Sequence, residues 1–163
     1  MKQKVALSTY CKIITVITLA VIITIFVVLY YRTASDFYCW TLLGVICVLC
    51  VSALVYSPQS VQLSNEAIIV NTPIRHKAIR LDEVSSVGLC SPTMSEKRIF
   101  GSGGFCGYWG YFYEPSIGRY FAYYGKASDC FLVTLKSGKK YLLGCENASK
   151  MVTAISERLA DPR

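Results

Sequence analysis

Few residues in this chain are of a type and spacing that could carry chemistry, and they do not converge. Its single histidine, His76, stands between Arg75 and Lys77, and the adjacent carboxylates Asp82 and Glu83 follow at an expected turn. One histidine supports no Ser/His/acid grouping, and neighbouring carboxylates at a turn read as solvated charges rather than as a general acid and base. Cys47-Val48-Leu49-Cys50 has the letters of a redox pair. Such a pair needs a thiolate stabilised at a helix N-terminus, whereas these thiols sit inside an apolar run and read as packing. A histidine-based zinc site cannot be assembled from one histidine and scattered cysteines. Gly101, Gly103, Gly104, Gly107 and Gly110 fit neither G-x-G-x-x-G nor the Walker pattern, so no phosphate cradle is expected. The reading is therefore of no catalytic residues, no metal and no cofactor.

What remains is chemistry of contact. Residues 101–118, GSGGFCGYWGYFYEPSIG, hold six of the eleven glycines. Glycines there disfavour a helix and let groups approach closely, while the aromatics supply large apolar area with a polar edge. A long loop packed on its own aromatics is the plainer expectation. The sharper one is a contact surface for a partner or a membrane, made of Phe105, Tyr108, Trp109, Tyr111 and Phe112 with the cations Lys97, Arg98 and Arg119. Two further basic groups, Arg75, Lys77 and Arg80 on one strand and Lys136, Lys139 and Lys140 at a turn, are candidate contacts to anionic lipid, each cation adding about 1 kcal/mol near such a surface. Edge charges that discourage strand pairing are the alternative for both.

These groups need elements to position them. Residues 13–31 and 37–56 are uncharged apolar blocks, separated by five residues. As helices they rise about 29–30 Å, the thickness of a bilayer core. They read as a transmembrane hairpin. Lys2, Lys4 and Lys12 before it, and Arg75, Lys77 and Arg80 after it, predict both termini on the cytoplasmic side of the membrane. The first block is too long for a signal-peptide core and lacks a cleavage site, so it reads as an uncleaved anchor. The division expected is a cytoplasmic N-terminal segment (1–12), two spans (13–31 and 37–56), an external loop (32–36) and one cytoplasmic domain (57–163). Net charge is +7, short of the dense basic stripe of a nucleic-acid binder, and no nucleic-acid partner is expected. Cytoplasmic thiols are expected to stay reduced.

Within 57–163 the alternation of apolar and polar residues predicts a hairpin at 61–70, strands near 74–81, 84–89 and 119–125, and a second hairpin at 130–144 turning at Lys136–Lys139. A last helix starts after Asn147, carries Met151, Val152, Ile155 and Leu159 on one face, and closes before Pro162. Seven strands and a helix that must bury its stripe against them give a membrane-anchored α+β chain, its soluble part a bent sandwich or barrel.

In the order of these elements, and in RIFGSGGFCGYWGYF (98–112), SIGRYFAYY (116–124) and FLVTLKSGKKYLLG (131–144) before ENASKMVTAI, the chain resembles membrane-tethered members of the bacterial pleckstrin-homology-like (PH) domain families. The resemblance implies seven antiparallel strands in two near-orthogonal sheets capped by the C-terminal helix, and no shared catalytic residues. Phosphoinositide-binding PH domains carry a basic pattern across the first hairpin, whereas 61–70 has Glu66 and no Lys or Arg. The functional expectation is a non-enzymatic interaction or scaffold module at the cytoplasmic membrane face, with the bilayer and a protein as partners. The alternative is a sensor or regulatory subunit that binds a small ligand or an anionic lipid headgroup.

Overall fold

The computed structural model of the chain describes residues 1–32, 36–93 and 95–160. Most of the expected outer loop (33–35) and the closing Pro162 lie outside them. Two long helices come first, α1 (Thr9–Arg32) and α2 (Asp36–Tyr56), and they pack against each other. Ser8 caps α1: its Oγ accepts from the Cys11 N–H at 3.2 Å. At the other end, Pro58 cannot continue α2, and the last helical bond is Ser57 N–H to Ala53 C=O. Both helices are long and apolar enough to cross a membrane, and their apolar side chains face outward with almost none buried in the molecule.

The rest is strand-rich. A strand at the start of the chain, β1 (Lys2–Lys4), pairs with β2 (Ser60–Leu63), which pairs with β3 (Ala67–Asn71) and then β4 (His76–Arg80). This four-stranded sheet is antiparallel throughout. The second sheet has six strands: β5 (Val84–Leu89), β6 (Lys97–Gly104), β7 (Gly107–Glu114), β8 (Gly118–Tyr124), β9 (Cys130–Leu135) and β10 (Lys140–Gly144). Its spatial order is β5-β9-β10-β8-β7-β6. The helix α3 (Ala148–Ala160) packs on β5 and β9.

Packing follows the alternation. Val61, Leu63, Ile68 and Val70 point from the small sheet, Phe131, Val133 and Leu143 from the large one, and α3 inserts Met151 and Ile155 between them. Arg158 in the last turn of α3 donates to the Ser64 C=O, fixing the β2–β3 turn against the helix. A second apolar cluster lies on the opposite face of the large sheet and gathers Phe112, Tyr120, Tyr124, Cys130 and Leu142. Residues 90–93 and 95–96 lie against this face. Thr93 donates its N–H and hydroxyl to Glu114, and Tyr120 and Tyr124 both donate to Glu96. Glu114 is 1 % exposed, its carboxylate held by Thr93 and by the Ser116 hydroxyl.

Four expectations change. The seven expected strands are all present, but three more join them: β1, β6 and β7. The N-terminal segment expected to precede the domain is part of it. The two sheets do not close into a barrel, and β8 and β10 run parallel, so the large sheet is mixed. Residues 101–118 are not a long loop: most of them form the regular hairpin β6–β7, with Phe105 and Cys106 as its turn. Gly101 and Gly110 face each other across that hairpin at φ +116° and +118°. A Cβ at either would collide with the opposite backbone, at the carbonyl of Trp109 or of Phe100. Glycine lets the two strands take this conformation, so residues that weaken most strands here permit one.

Candidate functional site

The period of two sorts the aromatics of β7 onto two faces. Tyr108 and Phe112 lie on the outer face, where Tyr108 stacks on Tyr124 at 4.6 Å and Phe112 on Tyr120 at 6.1 Å. Trp109, Tyr111 and Tyr113 lie on the inner one. Trp109 is buried and stacks on Tyr56, the last residue of α2, at 5.4 Å. Tyr111 and Tyr113 are exposed, and Phe105 is half-buried in the turn. Strand register then aligns Tyr111 with Phe121 and Phe121 with Tyr141, an aromatic row across β7, β8 and β10. Phe121 meets Tyr111 edge-on at 4.9 Å.

This row floors a cleft of about 230 Å³. Its second wall comes from the β3–β4 turn and β4, which supply Thr72, Arg75, His76 and Lys77; its third is Val55 and Tyr56 of α2. Thr72 shapes the turn by accepting the Arg75 N–H at its hydroxyl, at 3.1 Å, and donating to the Arg75 C=O. Lys77 Nζ stands 6.0 Å from the Tyr141 ring centroid, and Arg119 lies over Tyr111 at 4.7 Å. No acidic side chain lines the cleft among the described residues. Burial pushes the Tyr123 phenol at its back up to about 12, with Tyr141 and Tyr56 adding to the rise and Arg75 opposing it. Burial likewise raises Tyr141, against the pull of Lys139. These phenols are neutral hydrogen-bonding groups at ordinary pH, so the only charges offered to a ligand are positive.

The candidate residues read from the sequence therefore divide. Arg75 and Lys77 come together with Tyr111 in the cleft, and Arg119 covers its edge. Lys97 aligns with Tyr113, and Tyr113 with Arg119, giving a second exposed row next to the first. Arg98, out of step by one residue, pairs in register with Phe112. Arg80 is occupied by Asp82, whose carboxylate takes both its Nε and Nη2. Lys140 is spent on the Ile117 C=O at 2.6 Å, while Lys136 and Lys139 sit exposed at the β9–β10 turn. Sequence reasoning missed His76, Tyr56, Phe121, Tyr123 and Tyr141 as cleft residues. The alternation in GRYFAYY already placed Phe121 and Tyr123 on one face, but only the parallel pairing of β8 with β10 adds Tyr141.

A second feature is the joint between the helices and the domain. The turn of β6–β7 lies against α1, where Thr15 Oγ1 accepts the Cys106 N–H at 2.9 Å. Ser57, just past α2, donates its hydroxyl to the Cys106 C=O at 2.7 Å. The stretch before α1 ties in both sheets: Val5 N–H bonds Gln59 C=O, Ser8 N–H bonds Gly125 C=O, and Glu146 N–H bonds Lys4 C=O, at 2.9 to 3.0 Å. The domain is thus fastened to the foot of the hairpin by backbone, not hung on a free linker.

No curated protein and no solved structure matches the chain. The family model described as bacterial PH domain matches residues 59–159, more than half of the sequence and nearly all of the strand-rich part. The two sheets, the C-terminal helix and that match agree, and the chain belongs to the bacterial PH domain family.

Proposed function

We propose that this protein is a non-enzymatic interaction or scaffold module, held by α1 and α2 at the cytoplasmic face of the bacterial inner membrane. Its partners are the bilayer and a protein. The observation that carries the reading is the joint at Cys106, whose N–H and C=O are both taken by hydroxyls at the foot of the helical hairpin. A domain clamped there presents one fixed side to the membrane and another to the cytoplasm. Tethering raises its effective concentration for other membrane proteins toward the mM range, so weak contacts suffice. Lys2 and Lys4 before the helices, Lys12 in the first turn of α1, and the cations of β4 after them, support the cytoplasmic side.

The surface that suits a protein partner is the edge strand β6 with the row beside it. β6 ends the large sheet, its outer backbone groups have no strand beyond them among the described residues, and Ile99 and Phe100 are exposed there. Lys97, Tyr113 and Arg119 continue the patch.

A photocrosslinking residue at Phe100 or Tyr113, in cells, tests this. A discrete protein adduct from both positions, absent when the probe replaces Lys150 on α3, is the expected result. No adduct at either position, or release of the protein from membranes by carbonate, overturns it. The cleft favours a second reading, a sensor or regulatory subunit that binds a small ligand or an anionic lipid headgroup.

A further inference from the structure

The cleft does not end at the domain. Val55 and Tyr56, which form its third wall, also close a shallow apolar groove along one side of α2 lined by Cys47, Val48, Val51 and Ser52. These residues recur at helical spacing, so the groove runs along the helix axis from the apolar middle of α2 to the cationic cleft.

We propose that groove and cleft together bind one anionic glycerophospholipid. This rests on the membrane reading above. Its phosphate sits among Arg75, His76 and Lys77, its glycerol and ester groups lie on the Tyr111–Phe121–Tyr141 row, and one acyl chain follows Val55, Val51 and Val48 up α2. Three properties point to that ligand. The cleft offers cations and phenol hydroxyls and no carboxylate, which selects an anion. Its volume of about 230 Å³ is below the roughly 300–1,000 Å³ usual for a site that encloses a whole small molecule, and fits a headgroup whose remainder lies outside. The outside continuation is apolar and sits on a helix long enough to span a bilayer, where a soluble phosphate compound would have no use for it. The place in the fold also differs from the first hairpin, where β2, β3 and their turn contain no Lys or Arg.

The test is native mass spectrometry of the full chain, purified in detergent and titrated with phosphatidylglycerol or phosphatidylcholine. One phosphatidylglycerol retained per chain is expected, with phosphatidylcholine at least tenfold weaker. The double variant Arg75→Gln, Lys77→Gln removes only exposed side chains and should weaken retention about tenfold, while Lys150→Gln on α3 leaves it unchanged. Val51→Phe, which fills the groove without touching a charge, should weaken it as well. Millimolar glycerol phosphate should not displace the lipid; displacement would assign the cleft to a soluble phosphate and overturn the lipid. Equal retention of both lipids, or full retention by the double variant, overturns the site. A carbonate wash of the same membranes separates the two failures. Wild-type protein that stays in the membrane yet retains no phosphatidylglycerol defeats this site alone, whereas protein that washes off defeats the membrane reading and this proposal with it.

Discussion

The Thr15 hydroxyl and the Cys106 backbone N–H, 91 residues apart in sequence, meet at 2.9 Å, and the same hydroxyl donates to the Cys11 C=O at 2.7 Å. One side chain of α1 thereby satisfies the turn of a hairpin that belongs to the domain. Thr15→Val keeps the shape and removes the acceptor, leaving the Cys106 N–H without its partner. The expected loss is about 1–3 kcal/mol, read as a lower melting temperature of the detergent-solubilised full chain. Thr15→Ser should recover most of it.

Gly110→Ala sets a Cβ against the Phe100 carbonyl at a φ of +118°. Both the positive φ and the collision count against it, and the strands cannot separate without losing the β6–β7 ladder. Destabilisation of about 3 kcal/mol or more is expected, seen as poor accumulation and a reduced denaturation midpoint. Gly88→Ala, at a position with open space and no positive φ, should change stability by less than about 1 kcal/mol.

Alkaline pH should loosen the domain as its buried phenols and thiol are driven to ionise. Burial raises Tyr108 and Tyr123 to about 12 and the Cys145 thiol to about 11. Their folded values lie above the unfolded ones, so the folded state holds its protons longer. The stability they contribute is complete below pH 9 for Cys145 and below pH 10 for the tyrosines, and it falls as pH rises toward 11 and 12. A circular-dichroism titration run with tyrosinate absorbance should show the buried tyrosines Tyr108 and Tyr123 ionising together with loss of structure. Ionisation of all tyrosines near 10 with the fold intact would contradict it.

Glu96 receives hydroxyl hydrogen bonds from Tyr120 at 2.6 Å and from Tyr124 at 2.8 Å. Both tyrosines are almost fully buried, so Glu96→Ala leaves two hydroxyls to find new partners. The segment around Glu96 should then lift from the large sheet. Limited proteolysis should cut this segment several times faster in the variant, at a cost of about 1–3 kcal/mol in stability. Glu96→Gln, whose amide oxygen still accepts, should lie between variant and wild type.

The parts of the fold written in local alternation were legible. Val61-Gln62-Leu63, Ile68 and Val70 showed their buried face without help, and so did Met151 and Ile155 of α3. The hairpin β6–β7 was not, because Gly101, Gly104, Gly107 and Gly110 carry low strand propensity and hide the pattern in which Trp109, Tyr111 and Tyr113 take one face and Tyr108 and Phe112 the other. The strand β1 was too short to register, and its partner lies beyond two helices. The site divided in the same way. Arg75, Lys77, Tyr111 and Arg119 were visible as cations and aromatics, but the cleft exists only because a parallel pairing sets Tyr141 beside Phe121 and because α2 ends on Trp109. Neither long-range fact leaves a local mark.

The pairing of Lys2, Gln3 and Lys4 with Gln62, Val61 and Ser60 carries an arithmetic consequence. The residues before α1 and those after α2 share one ladder, so the path between them must begin and return to a single compartment. A lone crossing would pull the ladder apart, and only an even count of traverses keeps it whole. The ladder also imposes an order in time: the opening residues leave the ribosome first, yet have nothing to pair with until both helices and Ser60–Leu63 have followed. Both helices must be in place before the sheet can close.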